Sequence, residues 1–160
     1  MIGGNVMDII ANINQRLSFD EDSICLGGED KIEKVMNESP FKLPDDYIEF
    51  LRTISGGENT GIAFEVEDEG MDIFIWSAQV ALEKRNRDFN YPFNKDFMEC
   101  SWMVGDDLGG LVFFYGEGKD GFGLYRGSAG GLDYNYADKI ADSLTDFLVD
   151  GVGIDVAITL

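Results

Sequence analysis

Two adjacent carboxylates, Asp106 and Asp107, lie in the segment 105–110 (GDDLGG) and are candidates for holding a divalent cation. Hard cations such as Mg²⁺ and Ca²⁺ prefer clustered carboxylate oxygens. A calcium loop alternates its ligands along the chain, whereas here the acids are adjacent and precede a leucine and a glycine pair. This composition is typical of a tight turn, so we predict a turn and no metal ligand.

The segment 116–121 (GEGKDG) matches the G-x-G-x-x-G string of dinucleotide-binding turns. That motif requires a helix to follow, because the pyrophosphate rests against the helix N-terminus. Residues 122–126 instead alternate in hydropathy like a strand, and Glu117 and Asp120 would repel a phosphate. The segment therefore predicts a β-hairpin, and we expect no bound cofactor.

The chain has few side chains suited to catalysis, since it has no histidine and only two cysteines. A Ser-His-Asp triad, a Cys-His pair and a histidine metal site are all excluded. Cys25 and Cys100 do not have the paired spacing of a zinc site, and we expect Cys100 to be buried beside Trp102 on a strand. We predict no catalytic residue. A carboxylate- and metal-dependent hydrolase centred on Asp106 and Asp107 is the alternative from the enzyme classes.

The charge balance indicates the class of partner. The 160 residues include 31 Asp and Glu against 12 Lys and Arg, a formal net charge of −19. Such a chain repels phosphate backbones and anionic lipids, so we expect no nucleic acid and no membrane partner. A basic protein is the expected partner. The start of the chain lacks the basic and apolar regions of a signal peptide, so we expect a cytoplasmic protein.

Hydrophobic periodicity predicts the elements that position these residues. Helical spacing predicts an amphipathic helix over residues 6–17, a short helix ending before Pro40, and a helix that begins after Pro44. Strand-like alternation follows in residues 62–66 and 71–76, joined by an acidic turn, and a weaker helix covers 78–87. Three further strands are expected around 98–104, 111–115 and 122–125, before a last helix over 138–150. This order predicts a single α+β domain, with a mostly antiparallel twisted sheet and helices from both chain ends packed on one face.

Three segments together resemble one known family: 43–51 (LPDDYIEFL), 105–110 (GDDLGG) running into an apolar strand, and 140–148 (IADSLTDFL). Their order and spacing are similar to those of the SUKH superfamily of Smi/Knr-like proteins. The resemblance covers residues 29–150, with an N-terminal helix and loop over 1–28 and a tail over 151–160. It implies an α+β fold with a sheet-centred cleft and no established catalysis. Bacterial relatives are implicated as immunity proteins that neutralise toxins, often nucleases, and fungal relatives act in cell-wall and stress signalling.

Our leading hypothesis is a non-enzymatic immunity protein that binds a basic toxin domain through an acidic surface. A general interaction or regulatory scaffold is the alternative among binding proteins. The acids expected to be exposed on hairpins and turns are the candidate partner contacts: Glu65, Glu67, Asp68, Glu69, Asp106, Asp107, Glu117 and Asp120.

Overall fold

The computed structural model describes residues 8–58, 60–67, 69–89, 95–128 and 137–158. Within them, seven strands form one antiparallel sheet in chain order. The strands are β1 (Leu17–Ser18), β2 (Gly61–Val66), β3 (Met71–Trp76), β4 (Ser101–Asp106), β5 (Leu111–Gly118), β6 (Gly121–Ser128) and β7 (Asp138–Ala141). The helices are α1 (Glu29–Glu38), α2 (Asp45–Ile54), α3 (Ala78–Phe89), α4 (Lys95–Met98), α5 (Leu144–Leu148) and α6 (Ile154–Ala157). The predicted α+β class and the predicted antiparallel sheet are confirmed.

The meander brings alternate turns to opposite ends of the sheet. The β2–β3 turn (at residues 67, 69 and 70) and the β4–β5 turn (residues 107–110) share one end, because β3 and β4 are antiparallel with Phe74 opposite Asp106. We call this end the turn edge. The β5–β6 turn at Lys119 and Asp120 lies at the other end, which we call the hairpin end. The eight residues of β5 separate the two ends by roughly 25 Å.

Helix α2 forms where the sequence predicts it. Pro44 is its N-cap residue rather than its first helical residue, and Asp45 and Asp46 occupy the first turn, where acids oppose the positive end of the helix dipole. The predicted stripe of Tyr47, Leu51 and Ile54 is fully buried. Helix α2 therefore packs one face into the core and presents its acidic N-terminus at the surface.

A buried polar network joins α2 and α5 to one face of the sheet. The indole Nε1–H of Trp102 on β4 donates to the hydroxyl of Tyr47 at 2.9 Å. The hydroxyl of Tyr115 on β5 accepts the backbone N–H of Leu144, the first residue of α5, at 2.8 Å. Burial raises the pKa of both tyrosines, so both hydroxyls stay neutral. These bonds give partners to groups that would otherwise be buried without one.

The two helices are also joined directly at their N-termini. The Asp46 carboxylate of α2 accepts the backbone N–H of Thr145 at 3.0 Å and the Thr145 hydroxyl at 2.7 Å. The other carboxylate oxygen accepts the backbone N–H of Tyr47. Asp46 therefore holds the start of α5 against the start of α2.

Helix α4 packs against the opposite face of the sheet. The rings of Phe97 and Phe114 meet edge to face, with centroids 4.7 Å apart. On the same face Phe114 stacks on Tyr125 of β6 at 5.8 Å. Strand β5 is therefore covered on both sides, which explains its continuous apolar sequence. In the described ranges no helix is both long and apolar enough to cross a membrane.

The predicted N-terminal helix is wrong for the residues that the structure describes. Ile10–Asn12 form a 3₁₀ turn, and Leu17–Ser18 form β1 against β2. Asn14 redirects the chain between them, since its amide group donates to the Val149 carbonyl and its Oδ1 accepts the Arg16 N–H. Asparagine side chains that bond the backbone in this way compete with helix formation. Residues 6 and 7 of the predicted helix lie outside the described residues.

The predicted last helix is also only partly right. Asp138–Ala141 form strand β7 against β6, and the helix begins only after Ser143, whose hydroxyl accepts the N–H of Asp146. The apolar residues Ile140, Leu144 and Phe147 are buried as predicted, although two elements share them. Pairing with β6 gives backbone groups of these residues hydrogen-bond partners and buries Ile140 and Ala141.

A similar shift occurs before β4, which begins at Ser101. Met98 closes helix α4, and Cys100 lies in the turn that follows. The expectation of a buried Cys100 is wrong, since its side chain is exposed.

The Trp102–Tyr47 bond leads to a first prediction. We expect Tyr47→Phe to lower the free energy of unfolding by about 1–3 kcal/mol, because the buried Trp102 N–H would lose its acceptor. Urea unfolding monitored by tryptophan fluorescence measures the change. Val80→Ala, at a partly buried position of α3, is the control for a small loss of apolar contact. A Tyr47→Phe protein as stable as the wild type would contradict the role of this bond.

Candidate interaction surface

The β2–β3 hairpin at the turn edge carries three of the predicted contact acids that the structure describes. Strand β2 buries Ile62, Phe64 and Val66 against the helical layer, where Phe50 of α2 meets Phe64 with ring centroids 6.1 Å apart. Alternation then directs Glu65 to the opposite, open face of the strand. Glu65, Glu67 and Glu69 are all exposed, as predicted. Asp68 lies outside the described residues.

Two like charges face each other on the open side of this hairpin. Glu65 of β2 is the register partner of Asp72 of β3. Directly opposite like charges destabilise an antiparallel pair. The sequence prediction did not name Asp72, although a signal was present: Asp72 alone interrupts the apolar run of β3.

A groove of about 460 Å³ runs beside these acids, where β1 covers only the end of β2. It is lined by Gln15, Arg16, Leu17, Ser18, Glu65 and Glu67. The guanidinium of Arg16 lies 3.0 Å from Asp155, so this cation is directed to another acid. Glu65 and Glu67 therefore border a polar groove wide enough to take a side chain from a partner.

The carboxylate of Asp107 organises the β4–β5 turn. Its Oδ1 accepts the backbone N–H groups of Gly109, Gly110 and Leu111 at 2.8, 2.9 and 3.0 Å. Partial burial acts to raise the pKa of Asp107, but the bonds from Leu111, Gly110 and Gly109 outweigh it and the pKa is lowered. The Asp107 carboxylate is therefore bonded to the backbone of its own loop. These bonds compete with its predicted role as a partner contact.

The pKa of the neighbouring Asp106 is shifted in the opposite direction. Partial burial raises the pKa of Asp106, while the backbone N–H of Leu108, the nearby ammonium of Lys84 and a hydrogen bond with the Trp76 side chain oppose the rise. The Lys84 Nζ lies 5.7 Å from the centre of the Trp76 ring. The sequence did not connect Lys84 with Asp106, because α3 and β4 meet only in the tertiary structure.

The same turn exposes an apolar side chain in a strained backbone conformation. Leu108 has a φ of 62° and is 59% exposed. A non-glycine residue rarely adopts the left-handed region. Asp107 holds the loop in this shape, so Leu108 projects beside Asp106 at the turn edge.

The remaining two predicted contacts, Glu117 and Asp120, are exposed but lie at the hairpin end. Within this hairpin, the hydroxyl of Tyr125 accepts the Asp120 N–H at 3.0 Å and donates to the Gly121 carbonyl at 2.7 Å. The segment 116–121 is therefore a hairpin, as predicted, and β6 follows it where a dinucleotide site needs a helix. The structure separates the predicted contacts into two groups at opposite ends of the sheet.

The described acids are not arranged as a cluster of metal ligands. Among the residues that the structure describes, no three acidic or cysteine side chains converge in a way that could hold a metal ion. At the predicted alternative site, Oδ1 of Asp107 already accepts three N–H groups. The exposed carboxylates at the two ends can instead form ion pairs with a cationic surface.

Comparison with known proteins supplies a family. A family model described as the SMI1 / KNR4 family (SUKH-1) matches residues 28–150. This range includes α1 to α5 and β2 to β7. Neither the search of curated proteins nor that of solved structures gives a match.

The two adjacent aspartates lead to a second prediction, in which the same isosteric change has opposite effects. At pH 7 we expect Asp107→Asn to lower the free energy of unfolding by about 1 kcal/mol, because the charge that strengthens three N–H bonds is lost. We expect Asp106→Asn to raise it by about 0.5 kcal/mol after solvent screening, because its carboxylate ionises less readily in the fold. Urea unfolding between pH 2.5 and 7 measures both.

The direction of each pKa shift determines how the free energy of unfolding changes with pH. The folded pKa of Asp107 is lowered, so its stabilisation is complete above its ordinary pKa and disappears as pH falls through the folded value. The folded pKa of Asp106 is raised, so its cost appears as pH rises from the ordinary pKa through the folded value. At the acid end of this pH range, the free energy of unfolding of both variants should approach that of the wild type. Equal shifts of the same sign at pH 7 would show that the two carboxylates are equivalent.

Proposed function

The chain belongs to the SMI1 / KNR4 family (SUKH-1), and from this membership and its charge we propose that it is a bacterial immunity protein that binds a basic toxin domain and neutralises it without catalysis. The protein would act in the cytoplasm, beside the toxin target. The observation that carries the proposal is the net charge of −19 on a folded domain of this family. A charge of this size steers a cationic protein to the surface and suppresses contact with anionic ones.

Carboxylates that the fold holds in unfavourable surroundings support a binding role. Glu65 is opposite Asp72, and partial burial raises the pKa of Asp106. Each arrangement costs stability in the free protein. A cationic partner would relieve both costs on binding, since each carboxylate would gain an opposite charge.

A nuclease is the toxin class that fits such a surface best. A nuclease must present lysine and arginine side chains where it holds phosphate. An anionic domain that occupies this region excludes the nucleic acid by charge and by volume. No bond needs to be made or broken, so the absence of histidine in the chain is no obstacle.

The proposed contacts are acids of the turn edge and of the hairpin end, all exposed except the partly buried Asp106. At the turn edge they are Glu65, Glu67, Glu69 and Asp106, with Asp107 shaping the loop, and Asp68 belongs to the same turn in the sequence. Glu117 and Asp120 form the hairpin-end group. A standard interface covers about 800 Å² on each partner, so contact with both ends requires a partner lying along the sheet.

The function is tested first by co-expression. We expect a reading frame next to this gene to encode a toxin domain whose expression stops growth, and co-expression of this chain to restore it. The two proteins should then copurify in a complex. A neighbour whose product is harmless, or a toxin that forms no complex with this chain, would contradict the immunity role and favour the scaffold alternative.

Charge reversal gives the third prediction. The triple variant Glu65→Lys, Glu67→Lys and Glu69→Lys should weaken toxin binding by at least about tenfold at low salt, because opposite charges are lost at the interface. It should also reduce the dependence of the association rate on ionic strength. Surface plasmon resonance at several salt concentrations measures both effects.

The matched control reverses exposed acids elsewhere. Asp20→Lys, Asp22→Lys and Glu33→Lys change the net charge by the same amount outside both groups of contacts. Thermal unfolding should show that both triple variants remain folded. If the control weakens binding as much as the turn-edge variant, net charge rather than this surface governs association.

A further inference from the structure

The hairpin end carries an aromatic pair that is exposed among acids. Phe122 of β6 is 39% exposed, and its ring meets Phe41 edge to face with centroids 5.2 Å apart. Phe41 is partly buried and lies in the loop between α1 and α2. An aromatic ring of this size left partly in water has an apolar surface that a partner can cover.

The ring of Phe122 is held in a fixed position from below. It stacks on Tyr115, with centroids 6.0 Å apart and an interplanar angle of 10°. Tyr115 is fully buried, and its hydroxyl is tied to Leu144 at the start of α5. Phe122 is therefore oriented before any partner arrives, which reduces the entropy lost on binding.

Carboxylates surround this aromatic pair on several elements. Glu117 is the register partner of Phe122, on the same side of the β5–β6 hairpin. Asp142 is not one of them: its backbone lies beside Gly123, on the face of β6 opposite Phe122, and its carboxylate pairs with the Lys139 Nζ at 2.6 Å. Asp46 and Asp146 both act electrostatically on Tyr115, the residue beneath Phe122.

The acids near α5 are crowded together. Burial and the neighbouring carboxylates of Asp150, Asp142 and Asp46 raise the pKa of Asp146. Two nearby acids are paired with cations. The Lys139 Nζ lies 2.6 Å from Asp142, and the Lys119 Nζ lies 3.8 Å from Asp138. In the described part of the chain, no ion pair with a cation is found for Asp46, Asp146 or Glu117.

We propose that Phe122, with Phe41 and the surrounding acids Glu117, Asp46 and Asp146, is the anchor of the toxin interface and takes an arginine side chain of the partner. We call these five residues the Phe122 surface. The guanidinium group lies over the exposed ring in a cation–π contact, and its N–H groups bond the flanking carboxylates. That the arginine comes from a toxin rests on the proposed function. The preference of the surface for arginine does not.

Arginine fits this surface better than the other candidate occupants. A second copy of the chain would bring like charges together, and a nucleic acid or an anionic lipid would be repelled. Lysine shares the charge but cannot stack a planar group on the ring while bonding two carboxylates. Interface hot spots commonly combine a central aromatic residue with a charged partner of this kind.

The fourth prediction tests the surface without the toxin. A capped, fluorescent peptide of alternating glycine and arginine is titrated with the wild-type protein, and fluorescence anisotropy measures its affinity. We expect Phe122→Ala and Asp146→Asn each to weaken binding by at least about fivefold, and Phe122→Leu to behave like Phe122→Ala because it lacks the ring. The matching glycine–lysine peptide should bind the wild type more weakly and should be much less sensitive to Phe122→Leu.

Leu26→Ala is the matched control, since Leu26 is an exposed apolar residue in the loop before α1, outside both groups of proposed contacts. It should leave peptide binding unchanged. Asp146→Asn also separates binding from folding: we expect it to leave thermal stability unchanged or raised, because one carboxylate of a crowded group is neutralised. Equal binding by the wild type, Phe122→Ala and Asp146→Asn would overturn the proposal.

The toxin complex gives the second arm of the experiment. Phe122→Ala should weaken toxin binding by at least about tenfold. If the wild type binds the toxin and Phe122→Ala binds equally well, the immunity role stands and the anchor is wrong. If the wild type binds no toxin, the immunity role fails and the peptide titration alone decides on the surface. A dimer of the wild type that Phe122→Ala abolishes in sedimentation equilibrium would overturn the proposed occupant.

Discussion

The hydrogen bond from Trp102 to Tyr47 is the constraint on which the arrangement of the helices over the sheet depends. Two side chains that are fully buried here carry polar atoms that need partners, and each supplies the partner of the other. This bond sets the position of α2 over β4. In the same way, the hydrogen bond from the Leu144 N–H to the Tyr115 hydroxyl sets the position of α5 over β5. The rings of Tyr47 and Tyr115 lie 5.9 Å apart, so the two contacts form one unit. The acidic N-termini of both helices and the ring of Phe122 take their positions from this unit.

The concentration of negative charge at the surface is compatible with folding because the core carries the stability. Both faces of β5 are covered, and the largest buried side chains are aromatic. Repulsion among exposed carboxylates is weakened by water and salt, whereas apolar burial and the buried hydrogen bonds are not. The fold can therefore hold Glu65 opposite Asp72, and can crowd Asp146 among other acids, at a tolerable cost. A cationic partner converts this repulsion into attraction, which is the physical basis of the proposed immunity role.

The meander topology distributes this charge over two ends of the sheet with different character. The turn edge offers exposed glutamates and a polar groove beside a short edge strand. The hairpin end offers an oriented aromatic ring among carboxylates from β5, α2 and α5. In the proposed complex the first end contributes mainly long-range steering, which governs the association rate. The second contributes short-range contact with a desolvated group, which governs dissociation.

The sequence by itself determined the α+β class, helix α2, the antiparallel hairpins and the acidic surface, because these follow from local periodicity, turn residues and charge counts. The exposure of Glu65, Glu67, Glu69, Glu117 and Asp120 was predicted on the same grounds. Only the tertiary structure decided that residues 138–141 pair as a strand with β6, since helical spacing and burial on a sheet use the same apolar positions. It alone distinguished Asp107, bound to its own loop, from Asp106, whose burial depends on β3 and α3. It also brought Phe41, Phe122 and the acids of α2 and α5 together, because contacts between residues distant in the chain leave no local pattern in the sequence.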